Sequence, residues 1–190
     1  MNMKRREMLM STAVLGCGCL NTASNSPPSG RRLTNVTVTC LESAPISITP
    51  TVTRASITQD QTAQLELTVR GQGKKRTEVL FGNAIPFSSD QRSKPDGTLL
   101  LPASQNFGRK NQQTWLPAPG EDIIGPGGVV GRKFKSGETV TTNWSVWGDP
   151  DHVEYIEPGT YEFENSVTVE STDDQIPWTL TITIATETPD

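Results

Sequence analysis

Hydrophobic residues in this chain recur with a period of two, in segment after segment from Leu33 onward. Val36, Val38 and Cys40 alternate with Asn35, Thr37 and Thr39, and Ile46 and Ile48 alternate with Ser47 and Thr49. Leu65, Leu67 and Val69 alternate with Glu66, Thr68 and Arg70. Val140, Trp144 and Val146 share one face opposite Thr141, Asn143 and Ser145. Tyr161, Phe163, Val167 and Val169 oppose Glu162, Glu164, Thr168 and Glu170, with Asn165 the one mismatch. Trp178, Leu180, Ile182 and Ile184 oppose Thr179, Thr181 and Thr183. Successive side chains of an extended chain point to opposite faces, so this pattern predicts half-buried strands. The 25 threonines add β-branched bulk that suits a pleated surface. A helical repeat is missing throughout, so the crossover helices that a parallel sheet requires are not expected.

Turn chemistry agrees with this pattern. Pro158-Gly159 precedes one alternating run, Gly71-Gln72-Gly73 separates two others, and Ser136-Gly137 separates two more. A length of 190 residues suits one domain. The expected fold is all-β: an antiparallel, immunoglobulin-like β-sandwich of seven to nine strands over residues 33–187, with a closed barrel as the alternative. Residues 84–132 interrupt the pattern with six prolines and seven glycines, and predict a long, loop-rich insertion holding short strands.

The first residues belong to an address rather than to the fold. Lys4, Arg5 and Arg6 form a positive start, Met8–Leu15 is a short, weakly apolar run, and Gly16-Cys17 places a small residue before a cysteine. The run is too short to span a bilayer. The Arg5-Arg6 pair resembles a twin-arginine export signal, and the cysteine context resembles a lipoprotein cleavage site. Together they resemble the leader of lipoproteins exported already folded, as in halophilic archaea. That resemblance implies a signal peptide over 1–16, lipidation at Cys17, a flexible tether over 17–32 and a place on the outer face of the cell membrane. A plain secretory peptide cleaved elsewhere, or an uncleaved anchor, is the alternative.

Charge and residue counts exclude several function classes. The formal net charge is −4, which argues against nucleic acid as a partner. One histidine and three cysteines, with Cys17 assigned to the lipid, leave too few residues for a closed zinc site of four His/Cys ligands. Every methionine lies in the leader, at positions 1, 3, 8 and 10, so a blue-copper site lacks its axial ligand. No cofactor and no metal are expected. Cys19 and Cys40 are either bridged or unpaired, and their context favours the unpaired state.

His152 lies in Asp149-Pro150-Asp151-His152-Val153-Glu154. A histidine general base needs a nucleophile, and no Gly-x-Ser-x-Gly elbow provides one. Asp149, Asp151 and Glu154 lack the spacing of an EF-hand loop and read as a solvated acidic loop. Asp173-Asp174 reads as a turn, and Lys74-Lys75-Arg76 as a charged hairpin tip. Trp144 and Trp178 fall on apolar faces and belong to the core. Trp147 falls on the polar face of its strand and Trp115 in the insertion, so these two are the candidate ligand-contacting tryptophans. Arg109 and Lys110 join Trp115 as candidate binding residues, with Phe87 and Phe107 nearby in the same insertion. Asn35-Val36-Thr37 and Asn143-Trp144-Ser145 are N-glycosylation sequons, and the alternation turns both asparagines outward.

Ser136-Gly137-Glu138, Trp144 and then Glu157-Pro158-Gly159-Thr160-Tyr161 resemble the intracellular proteinase inhibitor-like domain (BsuPI type), with Gly82–Phe87 matching its early glycine-and-aromatic segment. The resemblance spans about residues 60–185 and implies a small Ig-like sandwich. The aspartate-rich central segment of that family has no counterpart here. The expected function is therefore a lipid-anchored, extracytoplasmic binding or interaction domain without catalytic activity, whose partner is a protein or another envelope component; protease inhibition is the alternative.

Overall fold

The computed structural model describes residues 30–39, 44–58, 61–73, 76–81, 86–87, 91–103, 130–149, 151–153 and 155–187. Among these, eleven strands form two sheets: β1 (Arg31–Thr39), β2 (Ile46–Arg54), β3 (Ser56–Ile57), β4 (Gln64–Gly71), β5 (Thr77–Phe81), β6 (Gln91–Arg92), β7 (Thr98–Pro102), β8 (Val130–Phe134), β9 (Thr139–Gly148), β10 (Gly159–Val169) and β11 (Asp174–Thr186). One sheet runs β3-β1-β11-β10-β5-β8 and the other β2-β4-β9-β7-β6, and the strand pairs are antiparallel. The β-sandwich expected from the alternation is therefore the observed fold. Nine of the strands have five residues or more; β3 and β6 have two each, too few to leave a period in the sequence.

Strand order is immunoglobulin-like. β2-β4-β9-β7 on one side and β5-β10-β11 on the other follow the A-B-E-D and C-F-G arrangement. Tyr161, near the start of β10, donates its hydroxyl to the Glu157 carbonyl at 2.8 Å, the backward bond of a tyrosine corner. The insertion contributes β6, β7 and the start of β8, short strands as the sequence predicts. β1 begins at Arg31, so Arg31 and Arg32 belong to the sheet and not to the tether. Arg31 is 8% exposed, with its Nε donating to the Ile156 carbonyl at 3.0 Å.

Tight pairing of β10 with β11 shows how pattern becomes packing. The hairpin register sets Phe163 opposite Leu180 and Tyr161 opposite Ile182. The turn closes at Asp173, whose φ of 57° is one that aspartate tolerates better than bulkier residues do. Trp144, Phe163, Trp178, Leu180 and Ile182 are all buried, as the alternation predicts. Their inner faces meet those of Leu65, Leu67, Val69, Phe81 and Phe134 in one core between the sheets. Asn165, the mismatch in β10, is 9% exposed on the inner face and spends its Nδ2 on the Phe163 carbonyl at 2.8 Å. The long edge strand β2 carries Pro50 at its centre, a residue that suits an edge and discourages pairing with another chain.

The two sheets are also tied along one side. Lys94, just past β6, exchanges both backbone hydrogen bonds with Glu162 of β10, at 2.7 and 2.8 Å. The β6–β7 turn then passes close to Tyr161: a Cβ on Gly97, at φ 142°, would sit 3.2 Å from the tyrosine ring. Only glycine fits that combination of positive φ and close approach.

Candidate functional site

Two places gather polar side chains from separated parts of the chain. The first is a cleft where β7 runs out. Pro102 pairs with Trp144, and the Ala103 N–H donates to the Asn143 carbonyl at 2.8 Å. Before Asn143, no described strand lies on that edge of β9, because β7 is half the length of its neighbour. Phe87 comes in from the other sheet, edge-on to Phe81 with ring centroids 4.7 Å apart. The Arg132 guanidinium lies 5.6 Å from the Phe87 ring and 5.7 Å from the Phe134 ring, a cation–π arrangement that fixes the aromatic wall.

The resulting cavity has a volume of about 660 Å³. Gln64, Thr141, Thr142 and Asn143 supply amides and hydroxyls, while Pro86, Phe87, Pro102, Ala103 and Trp144 supply apolar walls. This size and mix fit a small-ligand or peptide-segment site. Among the described residues no ionisable side chain lines it. Trp144 contributes only a rim: it is 1% exposed, and its Nε1 donates to the Thr142 hydroxyl at 3.0 Å.

The second place is the loop after β9. Asp149 was expected on a solvated acidic loop, and the structure corrects this: its side chain is fully buried. It accepts from Arg92 Nη1 at 3.0 and 3.1 Å and from the Asp151 N–H at 3.1 Å, and lies 3.1 Å from His152 Nδ1. Its own N–H donates to the Gly97 carbonyl at 3.1 Å. Asp151 remains open to solvent and meets Arg92 Nη2 at 2.6 Å. His152 Nε2 lies 3.6 Å from Asp96. The physical reason for the correction is Arg92, a cation brought in on β6 that offsets the cost of burying the carboxylate. The arrangement locks the β6–β7 turn onto the end of β9. Aspartate orienting histidine is also the support half of a catalytic dyad, but the Ser93 hydroxyl is already engaged, donating to the Pro95 carbonyl at 2.7 Å and accepting from the Thr98 N–H at 3.1 Å.

The remaining sequence-derived candidates divide cleanly. Arg5, Arg6, Cys17, Cys19, Cys40, Lys74, Lys75, Phe107, Arg109, Lys110, Trp115 and Glu154 lie outside the described residues. Asn35 and Asn143 are both exposed. Trp147 is a correction: expected to face solvent as a ligand contact, it is 8% exposed. The alternation itself holds, with Trp147 on the outer face. That face is not wet there, because β7 sets Leu99 opposite Trp147 and Leu101 opposite Ser145, and Leu99, Leu101 and Trp147 form a second small apolar cluster. Of the cleft residues, Phe87 had a signal in the sequence as an aromatic in a long insertion, Asn143 as a sequon and Trp144 as a core tryptophan. Gln64 and Thr141 look like ordinary outward strand positions, and Thr142 falls on the face of Val140 and Trp144.

Comparison with protein families, with curated proteins and with solved structures gives no match. The resemblance to the proteinase inhibitor-like domain thus rests on the sequence motifs alone.

Proposed function

We propose that this chain is a lipid-anchored, extracytoplasmic binding domain without catalytic activity of its own. The cleft beside β9 carries the reading. Its lining is amide, hydroxyl, proline and aromatic, with no described charge. Such a surface recognises a neutral ligand or an uncharged partner segment by hydrogen bonds and apolar contact rather than by ion pairing. The leader supports the location: a basic start, a short apolar run and Gly16-Cys17. The contact with the membrane is the lipid on Cys17, and the partner is a protein or envelope component rather than nucleic acid, in keeping with the net charge of −4.

Two comparisons test this. Cys17→Ser should move the protein from the membrane to the soluble fraction, and continued membrane association overturns the anchor. A pull-down from native membranes with the wild type and Thr141→Arg should show a partner held by the first and lost by the second. Thr141 is exposed, so the substitution fills and charges the cleft without entering the core. Equal retention by both, with the sheet intact by circular dichroism, moves the site elsewhere. Stoichiometric inhibition of proteases by the purified protein would favour the inhibitor reading instead.

A further inference from the structure

The two sequons look equivalent in the sequence, but the fold separates them. In a strand, residues two apart share a face, so an outward asparagine should bring an outward hydroxyl with it. At Asn35-Val36-Thr37 it does: Asn35 and Thr37 are both exposed on β1. At Asn143-Trp144-Ser145 it does not: Asn143 is exposed, but Ser145 is only 6% exposed, lying opposite Leu101 on the covered part of that face.

Backbone surroundings differ in the same sense. Asn143 lies in β9, between β4 and β7, with its carbonyl accepting the Ala103 N–H and its side chain lining the cleft. Asn35 lies in β1, which pairs with β11 along one edge. On the other edge β3 pairs only with Arg31 and Arg32, and the Leu33 N–H donates to the Ala55 carbonyl at 2.8 Å. Beyond that point no described strand is hydrogen-bonded to that edge. The register also slips between Leu33 and Asn35, so the ladder is already irregular where the sequon begins. An enzyme that must grip both the amide and the hydroxyl of a folded acceptor finds both at Asn35 and only one at Asn143.

We infer that Asn35 is an N-glycan acceptor and that Asn143 stays unmodified, leaving the cleft free. The donor is a polyprenyl-phosphate-linked sugar. Asn35 Nδ2 forms a bond to the anomeric carbon, and the bond from that carbon to the phosphate oxygen breaks. The bonding pair leaves with the phosphate, and the amide nitrogen gives up one proton to base. This inference rests on the extracytoplasmic reading above, and on export of an already folded chain.

The test is intact mass and peptide mapping of the full-length protein purified from its native membranes, alongside Asn35→Gln, Thr37→Ala and Asn143→Gln. The expected result is a sugar increment on the peptide containing Asn35, abolished by Asn35→Gln and by Thr37→Ala and unchanged by Asn143→Gln. A sugar on Asn143, or a lipid-bearing protein with no sugar, overturns the inference and leaves the anchor standing. A sugar on Asn35 with no lipid on Cys17 supports the inference and overturns the anchor. A protein with neither overturns both.

Discussion

Asp149→Asn is the substitution that most directly probes how the sandwich is locked. The carboxylate is fully buried and its partner Arg92 is 44% exposed. Removing one member of a fully buried ion pair costs about 3–5 kcal/mol, because the other is stranded without water. Here the stranded guanidinium reaches solvent and keeps Asp151 at 2.6 Å, which lowers the cost. Asparagine can still accept from the Asp151 N–H, but its amide group turns a donor toward Arg92 or toward His152 Nδ1. The net loss should be about 2–3 kcal/mol. With a urea slope of about 2 kcal/mol/M for a domain of this size, the midpoint should fall by about 1–1.5 M. Asp151→Asn is the control: that carboxylate is 64% exposed, and its loss should cost under about 1 kcal/mol. Urea denaturation followed by tryptophan fluorescence reads both. Equal midpoints for the two variants would refute the reasoning, since they would mean that burial of Asp149 adds nothing to an ordinary surface pair.

Two further outcomes follow from contacts at the sheet ends and edges. Tyr161→Phe removes the hydroxyl bond to Glu157 while keeping the ring packed, so it should cost about 0.5–1.5 kcal/mol in the same denaturation assay, and no loss would make the corner ornamental. At the β5–β8 edge, hydrogen bonds from Lys133 and then Glu170 hold the Glu78 carboxyl below its ordinary range, while the hydrogen bond and charge of Glu78 push Glu170 above it. Glu78 therefore contributes stability above its unfolded pKa that is lost as pH falls through its folded value. Glu170 contributes stability below its unfolded pKa that is lost as pH rises through its folded value. A carboxyl NMR titration should place Glu78 below Glu170, and Lys133→Met should raise Glu78; coincident midpoints that ignore Lys133 would sink the assignment.

What the sequence revealed and what it hid divide along a physical line. β10 and β11 were legible because each has one buried and one wet face, and a period of two survives in Tyr161, Phe163, Val167 and Val169 and in Trp178 to Ile184. β7 was legible only as a short apolar run in the insertion, because Leu99, Leu100 and Leu101 are buried on both faces and so show no alternation. That same double burial hid the fate of Trp147 and of Ser145: the pattern assigned their face correctly, but whether a face is wet depends on what the neighbouring strand brings. Asp149 was misread for a related reason. An acidic cluster looks solvated until a cation arrives, and Arg92 lies 57 residues upstream on a two-residue strand with no period to announce it.

The cleft was hidden more deeply, because its chemistry is made by a difference in strand length. β9 has ten residues and β7 five, so the edge of β9 before Asn143 emerges without a described partner, and residues as plain as Thr141 and Gln64 become walls. An immunoglobulin-like sandwich carries many functions on one frame, and strand order by itself selects none of them. What distinguishes this chain is where its ladder stops. Ala103 lies beside the cleft and Val130 on the opposite sheet, and Arg109, Lys110 and Trp115 lie between these two residues in the sequence. Thr141→Arg therefore tests the cavity of the fold, and Arg109→Ala with Trp115→Ala, in the same pull-down, tests the recognition residues proposed from the sequence.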